Sequence, residues 1–265
     1  MTKFILIASG KGGSGKTTVA INLGTALTYF GRDAIVVDGD LNKGNISLHL
    51  GHNLPKITLH DVIKGNKHIK ECIYLHDSGV KAIPNDISQE CLNESLDKNY
   101  YERLPDILLN LISKTEYVII DSPPGIGKEL LHLLKASDEV IVVTTPDLVA
   151  VTDALKTIKF CENKGVSVIG VIVNKVKNNN HELNIENIKG LLDKPILATI
   201  PYDEAVSEGL NIRHPITFSH PDAPASIGFK KMAALLLGEK YMESIEKHEN
   251  NSIYNYMLKM LGIKK

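Results

Sequence analysis

Apolar and polar positions alternate along the chain in blocks that predict strands and helices in turn. Short apolar runs typical of buried strands occupy residues 4–8, 34–37, 117–121, 140–143, 166–174 and 195–203. Between them, apolar residues recur at helical spacing over 19–27, 101–113, 152–162 and 226–247. This alternation predicts an α/β fold with a doubly wound, mostly parallel sheet and helices on both faces. We expect a single domain over residues 1–248.

The last segment of the chain has a different pattern. A polar break at 249–252 precedes a stretch, 253–265, whose apolar and polar residues separate at about 100° per residue. We expect this segment to be an amphipathic helix that lies in a membrane surface. A helix docked on the domain's own core is the alternative. The expected membrane contacts are Ile253, Tyr254, Met257, Leu258, Leu261, Lys264 and Lys265.

Composition narrows the class of protein. The hydrophobic fraction of 43% and the charged fraction of 23% are ordinary for a globular chain. A net charge of −1 makes nucleic acid an unlikely partner. Three widely spaced cysteines offer neither a disulfide framework nor a C-x-x-C metal motif, which fits a reducing cytoplasm. No apolar run approaches the roughly 20 residues of a membrane span, and we expect no signal peptide.

The chemistry is concentrated between the first strand and the first helix. GKGGSGKTT, residues 10–18, fits the Walker A template G-x-x-x-x-G-K-[ST]. A glycine-rich turn at a helix N-terminus directs backbone N–H groups toward an anion. Lys16 is expected to reach the β- and γ-phosphates, and Thr17 to ligate Mg²⁺. The expected nucleotide contacts are Gly10, Lys11, Gly12, Gly13, Ser14, Gly15, Lys16, Thr17 and Thr18.

Carboxylates follow two of the predicted strands. Asp38 and Asp40 end the strand at 34–37, and Asp121 ends the strand at 117–121. Strand ends of a doubly wound sheet lie beside the phosphate loop, so these groups could bind Mg²⁺ or orient water. A plain turn is the alternative for Asp38 and Asp40, since Asp and Gly favour turns.

These motifs together resemble the MinD/ParA family of deviant Walker A ATPases, closest to its MinD-like members. The resemblance rests on Lys11 within residues 10–18, on DGDLNKGN at 38–45 and on DSPPGIG at 121–127. It implies that Lys11 contacts phosphate across a dimer interface, although a solvated loop lysine is the alternative. It further implies that Asp40 orients the attacking water and that Asp38 lies in the Mg²⁺ shell. Lys11, Lys16 and Asp40 are thus the expected catalytic residues.

The second half of the chain carries weaker signals of the same resemblance. Asn174 ends a strand where an adenine base is expected, and an amide offers both a donor and an acceptor. The segment from Pro201 to Asp203 matches a family segment that packs beside the base. TTPDLVAVTDA, residues 144–154, resembles the family's dimer and partner-binding face, where Asp147 and Asp153 are candidate contacts or ordinary helix-start acids.

The resemblance implies an ATPase that uses ATP and Mg²⁺ and forms an ATP-dependent homodimer. Expected partners are an anionic membrane surface and an unidentified activating or cargo protein. The chain would be cytoplasmic and peripherally bound to the inner face of the membrane, where it positions cell division or another structure. The alternatives are a ParA-type partition or flagellum-number ATPase, and a nucleotide-gated scaffold with little turnover. Iron–sulfur relatives are set aside because their cysteine motifs are missing from the sequence.

Overall fold

The computed structural model describes residues 1–51, 56–85 and 99–241. Within these residues, eight strands form one sheet in the order β3-β4-β2-β5-β1-β6-β7-β8. Among the strand pairs of this described sheet, only β3 and β4 are antiparallel. The strands are β1 (Lys3–Ala8), β2 (Ala34–Asp38), β3 (Tyr74–Leu75), β4 (Lys81–Ile83), β5 (Tyr117–Asp121), β6 (Glu139–Thr144), β7 (Ser167–Val176) and β8 (Ile196–Pro201).

Helices cover both faces of the sheet, as the alternating pattern predicted. Alternate residues of β1 point to opposite faces, so Ile5 and Ile7 join one hydrophobic core while Phe4 and Leu6 join the other. The helices are α1 (Lys16–Tyr29), α2 (Ile46–Leu50), α3 (Leu59–Ile63), α4 (Asn99–Leu109), α5 (Lys128–Leu134), α6 (Leu148–Asn163), α7 (Ile185–Leu192), α8 (Glu204–Asn211), α9 (Ile216–Ser219) and α10 (Pro224–Leu237), with one 3₁₀ turn at Ile69–Cys72.

The strand order brings the predicted functional residues to one edge of the sheet. β1 lies between β5 and β6. The strands from β2 to β5 lie on one side of β1, and the chain then crosses to the other side, where β6, β7 and β8 lie. Such a switch point leaves a crevice at the carboxyl ends of the strands. Asp38 and Asp121 are register partners there, and Ile7 pairs with Asp121 one strand further on.

Several predicted helix bounds were wrong, and for two of them the structure gives the reason. The helix predicted over 226–247 is α10, which ends at Leu237 because Gly238 adopts a left-handed conformation with φ 69°. The helix predicted over 152–162 starts four residues earlier, at Leu148, because the Asp147 side chain caps it by accepting from Ala150 N.

The predicted amphipathic tail lies outside the described residues, and so does the boundary at 248 and 249. Within residues 1–51, 56–85 and 99–241, no helix has the length and apolar character needed to span a bilayer.

Candidate functional site

The loop between β1 and α1 is held open by left-handed glycines. Gly13 and Gly15 have φ values of 81° and 91°, which side-chain-bearing residues rarely adopt. The first intrahelical bond of α1 runs from Val19 N to Gly15 O. The N–H groups of residues 16–18 therefore have no partner within the helix and, with the helix dipole, form an anion site.

Lys16 is a buried cation beside this loop. Its residue is only 7% exposed, and its ammonium donates to Ser9 Oγ at 3.0 Å. Burial lowers the pKa of Lys16, while the charges of Asp121 and Asp40 partly offset that effect. A cation held in a desolvated cleft is costly until an anion joins it.

Three buried oxygens of the predicted site residues have no hydrogen-bond partner among the described residues. They are Asp38 Oδ1, Asp121 Oδ1 and Ser14 Oγ. The other oxygen of Asp121 accepts from the Thr17 hydroxyl at 2.6 Å, and the other oxygen of Asp38 accepts from Ile46 N at 3.1 Å. Unpaired polar atoms are rare in protein interiors, so a group that binds oxygen is expected here.

Burial also sets the protonation of these carboxyl groups. It raises the pKa of Asp121 to about 7, although the Thr17 hydrogen bond and the Lys16 charge act in the opposite direction. Burial and the nearby charge of Asp121 raise the pKa of Asp38 well above its usual value. The paired acids are therefore poorly stabilised as anions until a cation joins them.

The side chain of Asp40 stabilises the turn that follows it. Its Oδ1 accepts from Asn42 N at 3.2 Å and from Lys43 N at 3.0 Å. Burial raises the pKa of Asp40, and the two backbone N–H groups partly offset this. These bonds fix the direction of the carboxylate, which lines the space above the glycine-rich loop.

Two adjoining cavities follow the loop. The larger cavity, about 400 Å³, is lined by Gly12, Gly13, Gly15, Lys16, Thr17, Thr18, Asp40, Lys43, Asn45, His49, Asp121, Ser122, Pro124 and Lys175. The smaller cavity, about 200 Å³, is lined by Thr18, Asn174, Lys175, Ile200, Pro201, Tyr202, Asp203, Val206, Ser207 and Phe229. Thr18 and Lys175 belong to both, so an elongated ligand with an anionic end could occupy the two together.

Two consecutive residues of β7 brace the glycine-rich loop from outside. Asn174 Nδ2 donates to Ser14 O and Lys175 Nζ donates to Gly13 O, each at 2.8 Å. Lys175 does so from a left-handed backbone with φ 59°. A Cβ on Gly15 would lie 2.3 Å from Asn174 Nδ2, so only glycine fits beneath this brace. With their carbonyls bonded outward, the loop residues keep their N–H groups for a ligand.

Asp203 is bonded to two helix N-termini in the smaller cavity. Its carboxylate accepts from Ala205 N at 3.0 Å and from Ala225 N at 3.1 Å. It therefore joins α8 to α10 and fixes the wall of the cavity that includes Pro201. Asn174 is similarly engaged, since Lys175 N donates to its Oδ1 at 3.0 Å. One N–H and one lone pair of the Asn174 amide still remain for a base.

Lys11 lies at the opening of the site. Its ammonium is 3.4 Å from Asp147 Oδ1, and both side chains are partly exposed. Leu148 and Val149, which follow Asp147 on α6, are each 63% exposed. Asp153 touches the loop itself, because a Cβ on Gly10 would lie 2.4 Å from its carbonyl oxygen. The predicted contact face is therefore adjacent to the glycine-rich loop.

Residues 5–216 match the family described as the CobQ/CobB/MinD/ParA nucleotide binding domain. The chain belongs to this family. An uncharacterised ATP-binding protein of Methanocaldococcus jannaschii is 36% identical over 97% of this chain and 96% of its own length. The septum site-determining protein MinD of Thermotoga maritima is 32% identical over 90% of this chain and 89% of its own.

A solved structure agrees with the sequence comparisons. The septum site-determining protein MinD of Pyrococcus horikoshii, complexed with Mg-ADP, superposes with a TM-score of 0.84 at 33% identity, covering 89% of this chain and 96% of that one. The predicted MinD/ParA resemblance and the predicted P-loop fold are therefore confirmed. This protein is a MinD-like member of a family of ATP-binding proteins that are ATPases.

Several site residues of this MinD-like chain were not predicted from the sequence. Ser9, which accepts from Lys16, directly precedes Gly10 but lies outside the motif. Lys175, which donates to the loop, reaches it only through the fold. Lys43 and His49 line the larger cavity without having been predicted to do so. A basic residue directly after the predicted Asn174 was the only available signal for Lys175.

Proposed function

We propose that this protein binds ATP with Mg²⁺, dimerises on ATP, associates with membrane through its C-terminal segment and hydrolyses ATP to reverse the association. In the cell this cycle would position the division site or another structure. The observation that carries the proposal is the larger cavity. There a helix N-terminus, the buried Lys16 and Asp121, one of whose carboxylate oxygens is unpartnered, line one space. Asp38, the register partner of Asp121, lies behind it with an unpartnered oxygen of its own.

The residues present fit a magnesium ion. Mg²⁺ takes oxygen ligands, usually one or two carboxylates with phosphate oxygens and water. The Thr17 hydroxyl and Asp121 are already within 2.6 Å of each other, and Asp38 lies across the register pair from Asp121. We assign Thr17, Asp121 and Asp38 to hold the ion directly or through water. The ion supplies positive charge that neutralises the phosphates.

The chain's own groups perform the remaining tasks. The N–H groups of the glycine-rich loop and Lys16 bind the phosphates and stabilise the charge that develops during transfer. The carboxylate of Asp40 orients the attacking water and accepts its proton, since its turn directs it into the larger cavity. Asn174, Pro201 and Asp203 form the wall against which the adenine base lies.

Dimerisation is supported by the surface around Lys11. In the single chain the Lys11 ammonium is paired with Asp147 at only 3.4 Å in an exposed setting, so little free energy holds it there. The neighbouring Leu148 and Val149 present apolar area that a second copy would cover. We propose that Lys11 leaves Asp147 for the partner's nucleotide when two copies associate.

Membrane association is proposed from the amphipathic pattern of residues 253–265. A helix of a dozen residues is marginal in water, so a single copy should bind weakly and reversibly. Two copies on one dimer make the second contact intramolecular, which can raise avidity by about 10²–10⁴. Lys259, Lys264 and Lys265 should add roughly 1 kcal/mol each at an anionic surface.

Liposome co-sedimentation tests the proposal. ATP turnover and binding to anionic vesicles are measured with ATP and with ADP, for the full chain and for a chain that lacks residues 252–265. We expect turnover, stronger sedimentation with ATP than with ADP, and loss of sedimentation in the shortened chain. Equal sedimentation with both nucleotides would remove the switch. DNA binding without vesicle binding would favour the ParA-type alternative, and binding without turnover would favour the scaffold.

A further inference from the structure

The peptide group that joins Asp40 to Leu41 is held at both ends by a distant part of the chain. Its carbonyl oxygen, on Asp40, accepts from Asn85 Nδ2 at 3.3 Å and also from the nearby Lys43 N at 3.3 Å. Its N–H, on Leu41, donates to the Tyr101 hydroxyl at 3.0 Å. A peptide group is planar, so two bonds at its opposite ends fix the orientation of the whole plane.

Water cannot replace either bond. Asn85 is 2% exposed and Tyr101 is 5% exposed. Tyr101 lies on α4, where its ring packs in the core that covers one face of the sheet. If this buried N–H loses its acceptor, water cannot reach it to form a new hydrogen bond. The peptide group would then have to move, or the N–H would remain without a partner.

The orientation of this peptide plane controls the carboxylate of Asp40. The side chain leaves the same residue whose carbonyl Asn85 holds, and its Oδ1 is bonded to the N–H groups of Asn42 and Lys43 just downstream. A rotation of the plane between Asp40 and Leu41 would shift both the origin of the side chain and the turn that orients it. Neither Asn85 nor Tyr101 lines the larger cavity, so they reach a ligand there only through Asp40.

We propose that Tyr101 and Asn85 are positioning residues for the Asp40 carboxylate during ATP hydrolysis. The inference rests on the proposed function, in which Asp40 orients the attacking water. Displacing a catalytic group by about 1 Å can cost about 10²-fold in rate. The phosphates are bound by other residues, namely the loop and Lys16. The two positioning residues should therefore act on kcat and leave nucleotide affinity unchanged.

The substitution Tyr101→Phe tests this with the loss of one oxygen atom. We expect kcat for ATP to fall by about 10-fold to 100-fold, with KM and the dissociation constants of ATP and ADP within about 2-fold of wild type. Tyr100→Phe is the matched control. It makes the same change one residue earlier on the same helix, where the ring packs against His60, and it should leave kcat unchanged.

A second measurement reports on the geometry without any turnover. Amide hydrogen exchange at Leu41 should speed up by about 5-fold in Tyr101→Phe, since the net value of such a bond corresponds to about that factor. The amide of Ile46, which donates to Asp38 rather than to Asp40, serves as an internal reference and should change less. Asn85→Ala removes one of the two bonds to the carbonyl end of the peptide group and leaves the bond from Lys43 N, so it should lower kcat in the same direction but by a smaller factor.

The outcomes separate this inference from the function on which it rests. A wild-type protein without ATP turnover would overturn the proposed function and this inference with it. Wild-type turnover together with an equal kcat in Tyr101→Phe and Asn85→Ala would overturn the inference alone. A fall in kcat accompanied by an equal loss of nucleotide affinity would also overturn it, because the residues would then support the whole site rather than Asp40.

Discussion

The two cavities of the site differ in how their polar groups are bonded. At the larger cavity, Asp121 Oδ1 is buried without a partner among the described residues, and so are oxygens of Asp38, its register partner, and of Ser14 in the adjoining loop. In the smaller cavity, the Asp203 carboxylate is bonded to two helix N-termini, and the Asn174 amide is bonded to the glycine-rich loop and to Lys175 N. One cavity is thus electrostatically incomplete, whereas the other is built from groups that already stabilise the fold.

This difference suggests that the two cavities contribute differently to the binding of one nucleotide. Buried polar groups without partners destabilise the empty protein, and this cost is relieved when Mg²⁺ and the phosphates bind. The larger cavity should therefore supply most of the free energy of nucleotide binding. Groups bonded to the scaffold lose little mobility on binding, so the smaller cavity should act mainly through its shape. Substitutions in the two cavities should therefore have different consequences.

The largest effect is expected from Lys16→Ala. This change removes the buried cation of the larger cavity, and nucleotide binding or turnover should fall by about 10²-fold to 10³-fold or more. Titration with a fluorescent ATP analogue and a phosphate-release assay measure the two quantities. Lys189→Ala, at an exposed lysine of α7, is the control and should change neither. Wild-type turnover in Lys16→Ala would contradict the assignment of the site.

The pH dependence of binding comes next in size. Because burial raises the pKa of Asp121 to about 7, much of this carboxyl is protonated in the free protein below that pH. Binding of Mg²⁺ with nucleotide requires the anion, so affinity should rise by up to about tenfold per pH unit toward pH 7 as a proton is released. Fold stability has the opposite sign: the contribution of Asp121 is complete below its unfolded pKa and is lost as pH rises toward 7.

Calorimetry in two buffers of different ionisation heat measures this proton release. We expect a release of up to about one proton near pH 6 and little near pH 8 in the wild type. Asp121→Asn should abolish the release by this group, since the amide does not titrate. Buffer-independent heats in the wild type near pH 6 would mean that the carboxyls are already ionised in the free protein.

A smaller effect is expected where the cavities meet. Lys175→Met keeps most of the stem but removes the ammonium that donates to Gly13 O. Affinity for ATP and ADP should fall by about 5-fold for both nucleotides, the factor that corresponds to about 1 kcal/mol for one hydrogen bond. Lys175→Arg should recover part of the loss, and Lys189→Met is the neutral control. A loss confined to ATP would instead place Lys175 near the γ-phosphate.

The smallest effect on binding is expected from Asp203→Ala. The side chain caps two helices, so urea unfolding should show a loss of about 1–2 kcal/mol in stability. ADP affinity should remain within about 3-fold of wild type under conditions where the variant is folded. Glu204→Ala changes the next residue without a capping bond and serves as the control. A large loss of affinity with unchanged stability would show that Asp203 reads the base directly.

The parts of the site that were predictable from sequence are those that are contiguous in it. The geometry of residues 10–18 is determined locally, because the spaced glycines, the lysine and the start of the helix all lie within nine consecutive residues. Asp38 and Asp121 were predictable because each ends an apolar strand, and parallel strands end at one edge. Their expected roles remain predictions.

The remaining parts depend on contacts between distant segments. Tyr101 meets Leu41, and Lys175 meets Gly13, across 60 and 162 positions of sequence, and no local pattern encodes either contact. Predictions of helix ends were wrong for a related reason. The apolar spacing continues beyond Leu237, but the left-handed conformation of Gly238 ends α10 regardless of that spacing. Periodicity predicts which face a residue occupies more securely than where an element stops.

Gly10 allows the glycine-rich loop to lie directly against α6. With no room for even a methyl group between Gly10 and the carbonyl of Asp153, the main chain of the loop rests directly on the main chain of α6. Closely packed main chain resists compression, and Gly10 has no side chain that could absorb movement by changing rotamer. We therefore expect a change in the shape of the loop to displace α6. Leu148 and Val149 lie on the same helix, four to five residues before Asp153, so this surface is a little more than one helix turn from the contact with the loop.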